Sequence, residues 1–438
     1  MYGKIEVSGS KNAALAILPA VILCDQECIV EGVPKIKDVG IMIELLRLLG
    51  AKISTIAGDE SRLRIDPTKI NTCRLTGKRA TELAGEMRAS YYLLGALMGR
   101  FGEAEVPSPG GCSFCFRPMD QHVKVFRALG GTCDDITEEN WQDPVIIEKV
   151  ERTKEKVTIA FGTPSVGATM NAILAAVKSN GKTVIKQAAK EPHVVDLANF
   201  LAIMGANIIG AGTDTIIIHG VEYLRGATYT IIPDQIEAGT YMAAVAATSG
   251  AVTLTNVIPQ HLDSIIEKFI DIGVSITEYS DSIYIERKAS ETFKGCKITT
   301  EAHPGFPTDM QSQFAAMLTS AVGESEIIEH VWQQRAAYVR QLKKMGANAE
   351  ILDKIVIKIK PMEKGKKLQG AKLNALDLRA GAAIVIAGLI AEGTTEIGHV
   401  DIIERGYENM VAKLSKLGAN IKVVECDICD DIVDIDDQ

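Results

Sequence analysis

LLRLLGAKI, residues 45–53, is an apolar helix end that runs into Gly50 and out into a short alternating segment, and the phrase returns five more times. The other copies are FRALGGTC at Gly130, FLAIMGANI at Gly205, FIDIGVSI at Gly273, QLKKMGANAEI at Gly346 and LSKLGANI at Gly418. Successive glycines stand about 70 to 80 residues apart, so the chain is an internal repeat. Each copy predicts an amphipathic helix, a glycine C-cap and a strand.

A second kind of helix also occurs six times, starting near Lys11, Arg88, Ser165, Ala238, Asp309 and Leu378. KNAALAILPAVILC and LRAGAAIVIAGLI are typical: small and apolar on every side, the signature of a helix buried all round. One buried helix, one amphipathic helix and several strands make a β/α unit. With 438 residues, three such units fill each of two domains.

Composition narrows the function. A formal charge of -9 argues against a nucleic-acid or anionic-membrane surface, so any bound anion must meet locally placed Lys and Arg. Nine scattered cysteines read as reduced cytosolic thiols. The apolar run Ala13 to Cys24 is not a secretory signal: it is short, holds Pro19, follows a strand-like KIEVSG and has Leu23 before Cys24. A soluble, cytoplasmic protein is expected.

Chemistry is expected at the starts of the buried helices, where unpaired N–H groups and a partial positive charge favour anions. Lys11 and Asn12 open the first, Arg88 the second, Ser165 to Gly167 the third, Asp309 the fifth, and Asp377 with Arg379 the sixth, while Asp234 precedes the fourth. Capping accounts for Ser165 and the aspartates. It does not account for Lys11 or Arg88, because a cation beside a positive helix end needs an anion.

The stretch PSPGGCSFCFRPMD, residues 107–120, reads as an active-site loop: prolines stiffen its entry, Gly110 and Gly111 free its backbone, and Pro118 forbids a helix through Arg117. Cys112 lies five residues before Arg117, whose charge favours the thiolate. Burial as small hydrophobes is the alternative for Cys112 and Cys115.

Together these stretches resemble the UDP-N-acetylglucosamine enolpyruvyl transferases. The likeness is carried in order by SGSKNAAL from Ser8, VPKIKDV from Val33, MRASYY from Met87, PGGC and RPMDQH from Pro109 to His122, and PSVGAT from Pro164. It continues through KEPHVVDLANFL from Lys190, PDQIEAGTYM from Pro233, HPGFPTDMQ from His303, LDLRAGAAIVIAG from Leu376 and ERGYE from Glu404.

The resemblance implies an inside-out α/β barrel in each of two domains, residues 12–232 and residues 1–11 with 233–438, and a cleft between them. It implies transfer of the enolpyruvyl group of phosphoenolpyruvate to the sugar 3-hydroxyl of UDP-N-acetylglucosamine through a tetrahedral intermediate, with release of phosphate. This is the first committed step of peptidoglycan precursor synthesis, and no metal or organic cofactor is implied. Carried over, Cys112 is the loop cysteine that adds to phosphoenolpyruvate and protonates it, and Asp309 the base near the sugar hydroxyl. Lys11, Asn12, Arg117 and Arg405 hold phosphoenolpyruvate. Arg88, Arg117, Pro118, Met119, Asp120, Gln121, Thr163, Pro164, Ser165, Val166, Gly167 and Val331 line the sugar-nucleotide site with Asp309. Lys37, Asp234, and the pair Asp377 and Arg379 are secondary candidates.

Three features depart from that pattern. The chain begins about a dozen residues late, which suggests a truncated start or a rearranged second domain. Gln333 and Gln334 replace an acidic residue and an asparagine, and Cys115 with Phe116 replace small loop residues. These keep two other readings open: an enolpyruvyl transferase for another acceptor, such as a free nucleotide, and a weakened paralogue that only binds the sugar nucleotide. The pairs Cys112 with Cys115 and Cys426 with Cys429 have the spacing of a zinc or redox site, though the second lies in an acidic, alternating tail that reads as a solvated edge strand. His122 reads as a satisfied structural histidine, with assistance to nucleotide binding as the alternative.

Overall fold

The computed structural model describes residues 1–110, 118–148, 156–332 and 335–424. Cys112, Cys115, Phe116, Arg117, Gln333, Gln334, Cys426 and Cys429 lie outside them.

All six glycine phrases close helices in one way. The helices Lys37–Leu48, Asp120–Ala128, Pro192–Ile203, Asp263–Asp271, Tyr338–Lys344 and Met410–Lys416 each run into a glycine with φ between +87° and +109°. In each, the N–H after the glycine reaches back to a carbonyl five residues earlier, as in Ala51 to Leu46 at 3.0 Å and Ala419 to Leu414 at 3.1 Å. Only glycine enters that left-handed region without steric cost, so the helix stops there and its last carbonyls are satisfied. The expected strand follows at four of the six. After Gly130, among the described residues, an isolated bridge at Thr132 forms, and after Gly418 residues 419–424 form no strand.

The chain folds as two compact units, residues 8–234 with 302–305, and residues 1–7, 235–301 and 306–438. The first holds the buried helices Lys11–Ala20, Tyr92–Phe101 and Val166–Ala176, and the second holds Gln235–Thr248, Gln311–Leu318 and Leu378–Ile390. Arg88 and Asp309 open helical segments as expected, but these are 3₁₀ turns, Arg88–Tyr91 and Thr308–Met310, and the α-helices begin after them. A separate apolar cluster forms around each trio of helices. Large side chains such as Leu18, Leu93 and Ile384 are fully buried there, each stabilising by about 1.5–3 kcal/mol.

Sheets cover the helices, which is the inside-out arrangement. Four sheets share one pattern: a parallel pair at one edge, then two antiparallel pairs. Their inward residues alternate with outward ones, as in Ser282–Arg287, where every second residue is buried. The remaining repeat in each unit is reduced, to the strands Ala104–Val106 with Val145–Ile147 and Lys372–Asn374 with Glu396–Gly398. Tyr2–Glu6 pairs in parallel with Gly250–Thr255, in a sheet of the common order.

Two helices of the first unit touch almost backbone to backbone. A Cβ on Gly95 would lie 2.4 Å from Asn171 Oδ1, and one on Gly99 2.5 Å from the Leu174 carbonyl. Asn171, fully buried, pins the contact: its Oδ1 accepts from Gly95 N at 3.0 Å, and its Nδ2 donates to the Tyr91 carbonyl at 3.2 Å. Asn171→Ala leaves a buried N–H unmet and is expected to cost about 1–3 kcal/mol, read as a lower midpoint in denaturant unfolding with an unchanged slope.

Candidate functional site

In the first unit, two chain segments run side by side and present Lys11. Ser10 N donates to the Ile232 carbonyl at 2.7 Å and Asp234 N to the Ser8 carbonyl at 2.9 Å. Asp234 precedes the helix Gln235–Thr248 and also reaches across to another helix. Its Oδ2 accepts from Lys11 N at 3.0 Å, at the start of the helix Lys11–Ala20. The anion that the cationic helix start demands is partly internal: Lys11 Nζ sits 2.7 Å from Asp38 Oδ2, and Asp38 is buried. Asn12 stands beside Lys11 in the first turn, half-buried. Lys37 is half-exposed and pairs with Glu86 at 3.2 Å.

A second cluster in this unit gathers three distant segments. The Arg88 guanidinium donates to the Pro118 carbonyl at 3.4 Å and lies 5.5 Å from the centre of the Tyr91 ring. Gln121 Nε2 reaches the Thr163 carbonyl at 3.3 Å, and Ser165 caps the helix after it by accepting from Ala168 N. Met119 is buried, whereas Pro118, Asp120, Thr163 and Pro164 face solvent and Val166 is half-buried. Gly167 must be glycine: a Cβ would lie 2.6 Å from Tyr91 Oη and 3.0 Å from His122 Cε1.

His122 is the pivot beneath this cluster. Asn171 Oδ1 already accepts from Gly95, so its Nδ2 donates to His122 Nδ1 at 2.9 Å, which leaves the ring proton on Nε2. Burial, with Arg88 adding to it, pushes the His122 pKa down to about 3. A neutral buried histidine binds no proton until far below its unfolded value, so its contribution to stability is full above pH ~6.5 and is lost as pH falls from there towards the folded value. Asp196 acts in the opposite sense: burial raises its pKa to about 6 against the hydrogen bonds from Tyr229 and Ile232, and it favours the fold as pH falls below that. Comparing wild type with His122→Gln cancels the Asp196 part. The wild type is expected to lose about 2 kcal/mol relative to that variant between pH 7 and 5, read by denaturant titration.

In the second unit, Asp309 is gripped by two arginines. Arg335 approaches Oδ1 at 2.7 Å, while Arg379 binds Oδ2 through Nε at 3.1 Å and a terminal nitrogen at 2.8 Å. Burial works against the Asp309 carboxylate, but the two guanidinium groups outweigh it and hold its pKa well below the usual range. Asp309 is therefore no cap. Asp377 is one, with Oδ1 accepting from Arg379 N and Ala380 N at 2.8 and 2.9 Å. Arg379 is buried, with the Tyr407 ring 5.4 Å away, and Tyr407 Oη hydrogen-bonds Thr240 and Gln313. Arg405 ends the short helix Asp401–Glu404, and Val331 is exposed.

Sequence reasoning missed Asp38, Asn171 and Arg335. Asp38 lies within VPKIKDV, yet nothing in that stretch marks it as the partner of Lys11. Among the described residues no group of three or more His, Cys, Asp or Glu is placed to hold a metal ion. No helix among them is long and apolar enough to cross a membrane.

The chain belongs to the EPSP synthase (3-phosphoshikimate 1-carboxyvinyltransferase) family, whose model matches residues 1–414. It is 48% identical over 421 residues to UDP-N-acetylglucosamine 1-carboxyvinyltransferase 3 of Caldanaerobacter subterraneus subsp. tengcongensis, covering 96% of each chain. It is 49% identical to the UDP-N-acetylglucosamine 1-carboxyvinyltransferase of Clostridium botulinum, covering 96% of this chain and 97% of that one. These likenesses place it in that branch of the family. The fold matches the enolpyruvyl transferase NikO from Streptomyces tendae with a TM-score of 0.83 at 24% identity, over 96% of this chain and 95% of that one. It matches EPSP synthase from Acinetobacter baumannii with a TM-score of 0.72 at 19% identity, over 97% of both.

Proposed function

We propose that the protein transfers the enolpyruvyl group of phosphoenolpyruvate to the 3-hydroxyl of UDP-N-acetylglucosamine, releasing phosphate, as the first committed step of peptidoglycan precursor synthesis in the cytoplasm. The observation that carries this reading is near-full-length identity of 48% and 49% to proteins named for that reaction.

The roles proposed for single residues follow from the chemistry. The sugar oxygen bonds to C2 of phosphoenolpyruvate while C3 takes a proton, giving a tetrahedral intermediate. Loss of phosphate from C2 and of a proton from C3 then restores the double bond. Such an addition needs an acid at one carbon and an acceptor for the hydroxyl proton. Cys112 is the proposed acid, giving its thiol proton to C3, and a cation such as Arg117, five residues on in the sequence, would stabilise the thiolate left behind. Asp309 is the proposed acceptor: Arg335 and Arg379 keep it ionised and fix both of its oxygens. Lys11, Arg117 and Arg405, with Asn12, would hold the phosphate and carboxylate of phosphoenolpyruvate, Lys11 sharing its charge with Asp38. The Arg88, Pro118–Gln121 and Thr163–Gly167 cluster, with Val331, would take the sugar nucleotide.

Phosphate release from phosphoenolpyruvate, followed with and without UDP-N-acetylglucosamine, tests the reading. Release that requires the sugar nucleotide supports it. Saturable binding of the sugar nucleotide with no release sinks it.

A further inference from the structure

Glu329 ends the strand Ser325–Glu329 on its inward face and is 2% exposed, yet the chemistry above gives it no task. Its Oε1 accepts from Thr300 Oγ1 at 2.7 Å, Val331 N at 2.8 Å and Trp332 N at 2.7 Å. Its Oε2 accepts from Thr308 Oγ1 at 2.9 Å and Gln311 Nε2 at 2.8 Å. Five donors converge on one buried carboxylate from three separate segments. One is the turn that carries Asp309. Another is the turn that carries Val331 and leads to Arg335.

The hydroxyl of Thr308 joins these segments in one direction. Having given its only proton to Glu329, it accepts from Arg335 at 3.1 Å, and the same Arg335 nitrogen binds Asp309 at 2.7 Å. A carboxylate at position 329 thus sets the orientation of the threonine hydroxyl, the threonine fixes the guanidinium, and the guanidinium fixes Asp309. A plain fold anchor needs no such chain. Nor does it need to bind two successive backbone N–H groups beside an exposed Val331.

We propose that Glu329 is a positioning residue with two separable outputs: through Thr308 and Arg335 it aligns Asp309 for proton transfer, and through the N–H groups of Val331 and Trp332 it shapes the turn that meets the sugar nucleotide. The proposal rests on the function given above. It differs from a structural role because it predicts how kcat and KM divide between two variants.

Glu329→Gln turns amide hydrogens towards donors and disrupts both outputs. In the folded variant kcat is expected to fall and the KM for UDP-N-acetylglucosamine to rise, each by about 10-fold to 100-fold, with the KM for phosphoenolpyruvate held within about twofold. Thr308→Val removes the hydroxyl that joins Glu329 Oε2 to Arg335 and leaves the N–H groups of Val331 and Trp332 on Oε1. It is expected to lower kcat to a similar degree with the sugar-nucleotide KM unchanged, and its kcat effect is expected not to add to that of Glu329→Gln in the double variant. A purely structural Glu329 gives a lower unfolding temperature with wild-type kcat and KM in both variants, which overturns the proposal. Should Glu329→Gln not fold, Thr308→Val alone decides: undiminished kcat overturns the proposal, and reduced kcat at unchanged KM upholds it. Wild-type protein that releases no phosphate from this substrate pair overturns the function reading itself, and that result is in hand before any variant is compared.

Discussion

Asp309→Asn is expected to lower kcat by about 10³-fold while leaving the KM for UDP-N-acetylglucosamine within about threefold of wild type. The amide keeps the shape of the side chain and one acceptor, but it cannot take the proton that the sugar hydroxyl must give up. It also removes the charge that two arginines share. Arg379, with a side chain only 4% exposed, then stands buried beside a neutral group, and the fold is expected to lose up to about 3 kcal/mol. Steady-state kinetics beside a denaturant titration separate the two effects, since a merely destabilised enzyme keeps its kcat well below its unfolding midpoint. Wild-type kcat in a folded Asp309→Asn variant removes Asp309 from the chemistry. Because the arginines hold the carboxylate ionised far into acid, Asp309 is not expected to set the acid limb of a pH profile of kcat/KM.

Cys112→Ala is expected to abolish turnover and leave sugar-nucleotide binding nearly intact. The thiol is the proposed proton source for C3 of phosphoenolpyruvate, and alanine offers neither acid nor nucleophile. The groups proposed to bind UDP-N-acetylglucosamine, the Arg88, Gln121 and Thr163 cluster, hold one another without it. Calorimetric titration of the variant with the sugar nucleotide, alongside phosphate release, reads both halves. Full activity in this variant excludes Cys112 from the mechanism.

The fold was legible because its signals are periodic and local. A glycine that ends an amphipathic helix needs a positive φ, and the same requirement repeats six times with nothing in the tertiary structure to override it. Buried helices announce themselves by small apolar residues on every side. Two of the glycine copies depart from the pattern: among the described residues Thr132 makes a single bridge to Glu148, and residues 419–424 form no strand.

The site was less legible, because charge pairing is long-range. Lys11 called for an anion, but only the fold shows that Asp38 lies within 2.7 Å of it. Aspartates at helix starts look alike in sequence, yet Asp377 caps its own helix, Asp234 reaches the first N–H of a helix more than 200 residues away and Asp309 binds two arginines. One signal was available and went unused. In SEIIE, Glu329 falls on the inward side of an alternating strand with Ser325 and Ile327, and a carboxylate in that position must find donors.

The central claim concerns the acceptor, since the family is named for 3-phosphoshikimate chemistry while near-full-length relatives are named for the sugar nucleotide. The most direct test offers purified protein phosphoenolpyruvate together with equal amounts of UDP-N-acetylglucosamine and shikimate 3-phosphate and reads both product masses. The account predicts an enolpyruvyl mass added to UDP-N-acetylglucosamine alone, matched by released phosphate. Addition to shikimate 3-phosphate, or to neither acceptor, would contradict it.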